Sequence, residues 1–156
     1  MMASGDVAYE AIPTDELLKL ENQLCFPLYA CSKEVVRRYT PHLDKLDLTY
    51  TQYLVMMALW EYGELSVGEL GERLFLDSGT LTPMLKKMED KGYVSRVRSS
   101  VDERRVNVRL TEAGEKLKEE AREVPLAMGQ CVNIDPDDAA KLVRLLRKVL
   151  ANVRES

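Results

Sequence analysis

The chain has 156 residues, of which 46% are hydrophobic and 31% are charged. This size and balance are typical of one compact globular domain, and they exclude a disordered or collagen-like chain. The longest uninterrupted apolar run, residues 54–60, is too short to span a bilayer, and the N-terminus lacks the basic and apolar segments of an export signal. We therefore expect a cytoplasmic protein without a membrane partner.

Charge is distributed unevenly along the chain. The formal net charge is -4, but residues 84–110 contain eight Lys or Arg and four Asp or Glu, so this window carries +4 and the remainder -8. Three cysteines without a C-x-x-C pair, together with a single histidine, predict neither a disulfide scaffold nor a metal site. We expect no cofactor, and we expect His42 to be a solvated side chain in a polar connector.

The first predicted element is a helix over residues 14–39, because apolar residues recur there at every third or fourth position. Thr14 is the expected cap. Pro27 lies inside the pattern and would remove one amide donor, so we expect a kink there, with a helix that restarts at Pro27 as the alternative. Residues 1–13 are expected to form a flexible tail, and residues 40–48 a linker.

Two capping boxes predict the start of the next two helices. Thr49 and Gln52 have the required spacing, and so do Ser66 and Glu69. The helix after Thr49 is apolar on nearly every side, which is typical of a helix at the centre of a fold.

A further short helix follows, and three residues can cap it: Asp77, Ser78 and Thr80. Gly92 is its natural end. Pro83 would cost almost nothing if Thr80 were the cap, since the amides of the first turn have no helical partner.

The apolar period then changes from helical to alternating. Residues 106–110 predict a strand, residues 93–98 its antiparallel mate, and residues 99–105 the turn between them. Two short helices followed by an arginine-rich hairpin predict a mainly α fold with a small β-hairpin wing, the winged helix-turn-helix.

Two more helices are predicted after the hairpin. Thr111 can cap one that extends to about residue 130 and bends at Pro125, and Asp135 with Pro136 begins the last. The last helix carries an apolar stripe formed by Leu142, Leu145, Leu146, Val149 and Val153. One small winged domain does not need this much additional apolar surface, so we expect the terminal helices to form a homodimer.

The middle of the chain predicts a surface for double-stranded DNA. The second short helix fits the major groove, and the face opposite its apolar residues offers hydroxyl and ammonium groups. These groups belong to Ser78, Thr80, Thr82, Lys86 and Lys87. Arg104 and Arg105 in the hairpin turn can reach the minor groove, with Asp102 orienting an arginine. A solvated charged face and a protein-interaction module are the alternatives from the pattern alone.

The cysteines differ in their surroundings. Cys31 lies on the main apolar stripe of the first predicted helix, where cysteine commonly acts as a small hydrophobic residue. Cys25 lies on a neighbouring flank with Tyr29 one turn away, and a phenol that donates a hydrogen bond stabilises thiolate over thiol. From the pattern, Cys25 can be reactive or inert. Cys131, in a Gly-containing connector, is a better disulfide partner for Cys25 than Cys31, which is about 9 Å of helical rise away.

Several motifs together resemble the organic-hydroperoxide-sensing repressors of the MarR family. They are NQLCF at residues 22–26, LTY at 48–50 with QY at 52–53, LDSGTLTP at 76–83, DER at 102–104 and LTEAG at 110–114. The resemblance covers about residues 16–155. It implies a single domain over residues 14–156, with a DNA-binding part at 49–111 and dimerisation parts at 14–48 and 112–156.

The resemblance also implies a mechanism. A homodimer would bind an inverted-repeat operator when reduced and release it when an organic hydroperoxide oxidises Cys25. Tyr29, Tyr39 and Tyr50 would help to hold or gate the site of that cysteine, some of them from the partner subunit. Cys131 would resolve the oxidised form as a disulfide between subunits, unless an external thiol does so. A regulator of the same fold that responds to a phenolic or apolar ligand is the alternative. A thiol peroxidase is the least favoured, because the sequence supplies no acid or arginine cluster for turnover.

Overall fold

The computed structural model describes residues 13–155. The predicted tail over residues 1–13 therefore lies, apart from Pro13, outside the described residues. The chain divides into two compact units, Met1–Arg37 and Arg38–Ser156. Among the described helices, none is long and apolar enough to cross a membrane.

The single helix predicted over residues 14–39 is wrong, because the chain forms two helices there. Helix α1 (Thr14–Leu17) is followed by a 3-10 turn (Leu20–Asn22), and helix α2 (Cys25–Leu43) begins after it. The amide of the Asn22 side chain donates to the Glu16 carbonyl at 2.8 Å, and the Gln23 side chain donates to the Leu17 carbonyl. Side-chain donors thus take the place of backbone amides that would continue the helix.

The position of Pro27 follows from this break. Pro27 is the third residue of α2, where a backbone amide has no helical partner. The alternative of a restarted helix is therefore correct, but the restart is at Cys25 and not at Pro27. Thr14 is the first helical residue of α1, with Pro13 at the cap position, so the expected Thr14 cap is wrong.

The predicted linker over residues 40–48 begins within helix α2. That helix includes Pro41 and ends at Leu43, and a second 3-10 turn (Asp44–Leu46) follows. His42 therefore lies half-buried in the last helical turn and not in a connector. Asp47, with φ of 51°, completes the change of direction before the next helix.

Both capping boxes are present as predicted. In helix α3 (Tyr50–Tyr62), Thr49 accepts the amide of Gln52 while the Gln52 side chain accepts the amide of Thr49. Ser66 and Glu69 make the same exchange at the start of helix α4 (Val67–Leu74). Helix α3 is central, as expected, and its fully buried side chains are Val55, Met56 and Leu59.

Helix α5 (Ser78–Asp90) is the second helix of the helix-turn-helix. Asp77 is its cap, so Pro83 lies in the sixth position and leaves the Gly79 carbonyl without the amide that would normally bond to it. The expectation that Pro83 lies in the first helical turn, where it would cost almost no stability, is therefore wrong. Gly92, with φ of 79°, ends the helical region as predicted.

The predicted hairpin is confirmed and gains a third strand. Strands β2 (Val94–Arg98) and β3 (Val106–Leu110) are antiparallel, and β1 (Glu64–Ser66) pairs with the other edge of β3. The order is β1-β3-β2. The side chains that close the inner face of this sheet are Leu65, Val94 and Val108, all buried.

The helix predicted from residue 112 to about 130 is broken rather than bent. Helix α6 (Glu112–Ala121), capped by Thr111 as predicted, ends before Arg122, and helix α7 (Glu123–Val132) follows. The cause is Pro125, which cannot donate to the Ala121 carbonyl. Helix α8 (Pro136–Glu155) begins at the predicted cap, where Asp135 accepts the amide of residue 137. Its apolar stripe is largely exposed, with Leu145 at 55% and Val153 at 69%.

Gly114 lies where a side chain cannot fit. A Cβ there would be 2.1 Å from the Tyr93 carbonyl oxygen and 3.1 Å from Leu110 Cδ2. We expect Gly114→Ala to lower the free energy of unfolding by about 2–3 kcal/mol in chemical denaturation, because the backbone must move.

Gly129→Ala is the matched control for this substitution. Its added methyl group meets nothing within 4 Å and lies in a helix, so stability should stay the same or rise by up to about 1 kcal/mol. A Gly114→Ala protein as stable as the parent would contradict the close contact.

Candidate functional site

The recognition face of α5 has the predicted polarity. Leu81, Leu85 and Met88 are completely buried against the core. The predicted DNA-facing residues Ser78, Thr80, Thr82, Lys86 and Lys87 are all exposed on the helix. The helix therefore presents hydroxyl and ammonium groups on a surface that its apolar side holds in place.

Asp77 organises the first turn of this surface. Its carboxylate accepts the Thr80 amide at 2.8 Å and the Thr80 hydroxyl at 2.9 Å. The bonds from Thr80, backbone first, hold the pKa of Asp77 below its usual value. Because the Thr80 hydroxyl proton is directed to Asp77, the oxygen offers its lone pairs outward and suits a donor such as a base amino group.

The turn of the wing between β2 and β3 is held by its own side chains. Ser99 Oγ accepts the amides of Val101 and Asp102 at 3.2 and 3.3 Å. Asp102 Oδ1 accepts the backbone amide of Arg104 at 3.0 Å. Asp102 thus fixes the backbone from which Arg104 projects; the structure gives it an amide partner and not the guanidinium that the sequence suggested.

The basic side chains of the +4 window divide into two groups. Lys91 pairs with Asp47 at 3.0 Å, and Arg96 with Glu89 at 2.8 Å. Arg105 is 3.5 Å from Glu69. Within residues 13–155, no ion pair engages the other five, which are Lys86, Lys87, Arg98, Arg104 and Arg109; Arg109 donates to Ser95 Oγ at 3.2 Å. Arg98, an exposed cation at the end of β2, was not among the predicted DNA-facing residues, because its charge alone did not distinguish it from its neighbours.

Cys25 is the first residue of α2, and its thiol is free and exposed. Tyr29 lies one turn along the same helix, also exposed, with Lys33 Nζ 5.9 Å from the centre of its ring. Cys31 is exposed as well, so the expectation that it fills a hydrophobic core is wrong for the single chain. The stripe that carries Cys31 remains open to solvent, since Leu24 on it is 58% exposed.

The rings of Tyr39 and Tyr50 lie against each other in the second unit. Their ring centres are 4.8 Å apart, and Tyr53, whose place in this cluster the analysis missed, is 6.1 Å from Tyr39. Burial, and then the neighbouring phenol Tyr50, raises the pKa of Tyr39. The phenol of Tyr39 therefore stays protonated at neutral pH and can act as a hydrogen-bond donor.

Cys131 lies in the last turn of α7, and the expected connector position is wrong. The helix continues past Gly129 to Val132, and Asn133, with φ of 42°, ends it in the left-handed conformation. The Cys131 thiol is free and exposed. Among the described residues, no cluster of His, Cys, Asp or Glu is arranged to hold a metal ion.

Comparisons with known proteins agree with this geometry. The family model described as transcriptional regulator SarA/Rot matches residues 37–121. The organic hydroperoxide resistance transcriptional regulator of Bacillus subtilis (strain 168) is 57% identical over 108 residues, which are 69% of this chain and 74% of that protein.

Solved structures share the fold over most of their length. Reduced AbfR bound to DNA, a protein of Staphylococcus epidermidis, is 34% identical with a TM-score of 0.75 over 90% of this chain and 99% of that one. A MarR variant from Escherichia coli complexed with operator DNA is 29% identical with a TM-score of 0.72 over 93% and 99%. The chain therefore belongs to the MarR family of winged-helix transcriptional regulators, in the group of organic hydroperoxide regulators, and is a regulator rather than an enzyme.

Proposed function

We propose that the chain is a cytoplasmic, redox-sensing transcriptional repressor. As a homodimer it binds an inverted-repeat operator when Cys25 is reduced, and it releases the operator when an organic hydroperoxide oxidises Cys25. The observation that carries the proposal is the exposed, free Cys25 thiol at the start of α2, in a chain 57% identical to an organic hydroperoxide resistance regulator.

The chemistry needs only thiols and the peroxide. The Cys25 thiolate attacks the peroxide oxygen, the O–O bond breaks, and the alcohol leaves with a sulfenic acid on the sulfur. A second thiol then attacks that sulfur and expels water, which forms a disulfide. Cys131 of the partner subunit is the proposed second thiol, because its own thiol is exposed and free; an external thiol is the alternative.

Three tyrosines have a supporting role in the proposal. Tyr29 lies one helical turn from Cys25, and the phenol ring of Tyr39 packs against that of Tyr50. Phenol groups that donate hydrogen bonds to sulfur or to a peroxide oxygen favour thiolate and assist departure of the alcohol.

The homodimer is supported by apolar surface that the single chain leaves uncovered. Most of the stripe on α8 is exposed, and Val149 is partly buried. Apolar area of this kind is stabilised when a second copy covers it, and two-fold symmetry places two α5 helices about one turn of DNA apart. Reduced AbfR bound to DNA shows that a similar chain in its reduced state occupies DNA.

The energetic demand on oxidation is modest. A hundredfold loss of DNA affinity requires that the disulfide favour the non-binding conformation by about 2.7 kcal/mol. This is redox control of a binding equilibrium and not catalytic turnover.

Cys25→Ser should bind the operator and remain bound when an organic hydroperoxide is added, because serine cannot form the sulfenic acid. An electrophoretic mobility shift with an inverted-repeat fragment, before and after cumene hydroperoxide, measures this. Cys31→Ser is the matched control, since it removes an exposed thiol from the same helix, and it should release DNA like the parent.

The sensing role is refuted if Cys25→Ser releases DNA as readily as the parent protein. A ligand-responsive regulator would instead be supported by two results together. Cys25→Ser would release DNA in this way, and a phenolic ligand would stabilise Cys25→Ser against heat as much as it stabilises the parent protein.

Lys86→Ala should weaken DNA binding and reduce the slope of log K against log salt by about 0.9, because one phosphate contact is lost. Arg104→Ala should also weaken binding, through the minor groove. Lys116→Ala is the control, since its ammonium lies on α6 and pairs with Glu112 at 2.6 Å. Fluorescence anisotropy at several salt concentrations measures all three, and unchanged affinity of both Lys86→Ala and Arg104→Ala would contradict this docking.

A further inference from the structure

Arg105 differs from its neighbour Arg104 in the partners it makes within the chain. Its Nη2 donates to Ser66 Oγ at 3.2 Å and lies 3.5 Å from Glu69 Oε2. Both partners belong to the start of α4, far along the sequence from the wing. Sequence reasoning placed Arg105 with Arg104 on DNA, but the folded chain gives Arg105 an intramolecular acceptor.

The Glu69 carboxylate near Arg105 is held in place by other hydrogen bonds. Glu69 Oε2 accepts the Ser66 amide at 2.8 Å and the Ser66 hydroxyl at 2.6 Å. These bonds hold the pKa of Glu69 below its usual value, with the Ser66 hydroxyl as the largest cause, so the carboxylate is ionised at neutral pH. The guanidinium therefore meets a fixed negative charge.

The bonding of Ser66 is complete only with Arg105 present. Its hydroxyl donates its one proton to Glu69, and its two lone pairs accept the Glu69 amide at 3.2 Å and Arg105 Nη2. Ser66 is only 5% exposed, and a buried acceptor without a partner is unfavourable.

The connection joins the wing to the helix-turn-helix. Ser66 is the last residue of β1 and the cap of α4, and it lies opposite Asn107 in the pairing of β1 with β3. Arg105 immediately precedes β3, and its backbone closes the wing turn: its amide bonds to the Asp102 carbonyl and its carbonyl accepts the Ser99 amide, both at 2.9 Å. One residue thus contacts the wing turn through its backbone and α4 through its side chain.

We propose that Arg105 is a positioning residue that fixes the wing turn against the start of α4, so that Arg104 is the arginine left to contact DNA. The proposal rests on the DNA-binding function proposed above. Arg105 acts through the orientation of the wing, and its positive charge is already matched by Glu69.

Amide hydrogen exchange of the DNA-free protein tests the connection directly. Arg105→Ala should speed exchange at least threefold in residues 99–105 and at the first amides of α4, because both lose an anchor. Arg104→Ala, the adjacent control without a side-chain partner among the described residues, should leave exchange in these segments unchanged. Equal exchange in Arg105→Ala and the parent would overturn the proposal.

The salt dependence of DNA binding separates positioning from direct contact. Arg105→Ala should lower operator affinity about tenfold while the slope of log K against log salt stays that of the parent. A slope reduced by about 0.9 would show that Arg105 contacts a phosphate and would overturn the positioning role. Failure of the parent protein to bind any inverted repeat would refute the proposed function, whereas the exchange experiment would still decide the role of Arg105.

Discussion

The DNA-binding half of the fold depends on the close approach of helix α6 to Tyr93, which follows helix α5. Gly114 lets the backbone of α6 lie against the Tyr93 carbonyl, and the carbonyl of Gly114 accepts the indole N–H of Trp60 at 3.0 Å. The amide of Thr111, the cap of α6, donates to the same Tyr93 carbonyl at 3.1 Å. This bond also holds the start of α6 in place. The central helix, the start of the wing and α6 therefore meet at one point, and movement of α6 would be transmitted to both DNA-reading elements.

This junction suggests how a chemical change at a thiol could alter DNA binding. The aromatic rings of Tyr39, Tyr53 and Trp60 lie in sequence along the second unit, with successive ring centres 6.1 and 6.3 Å apart. Packed side chains transmit displacement because protein interiors have few voids. Displacement of Tyr39 would act on one end of this packed row, and Trp60 at its other end donates to the Gly114 carbonyl.

The structural features that depend on residues close together in the sequence were predicted correctly. The two capping boxes, the hairpin, the Asp135 cap and the two faces of α5 each depend on residues a few positions apart, and each is present. The break before Cys25 was missed because Asn22 and Gln23 donate backward to carbonyls, a competition that apolar periodicity does not reveal. Strand β1 was missed because three residues carry too short an alternation.

Contacts between distant segments could not be predicted from one sequence. The ties of Arg105 to Ser66 and Glu69 need the wing and α4 folded side by side, and the same holds for the bond from Trp60 to Gly114. For the candidate site, sequence supplied the residue types and the family resemblance; the structure supplied their exposure, the pairing of the Tyr39 and Tyr50 rings, and the division of the arginines into paired and unpaired ones.

In the proposed mechanism, the redox state of the Cys25 sulfur sets the occupancy of DNA. The most direct measurement follows, in the same samples during titration with an organic hydroperoxide, the fraction of operator released and the fraction of Cys25 in a disulfide, the latter by mass spectrometry. If oxidation of Cys25 causes release, the two fractions rise together. Release from protein whose Cys25 remains a thiol, or retained DNA when all of Cys25 is disulfide-bonded, would contradict this mechanism.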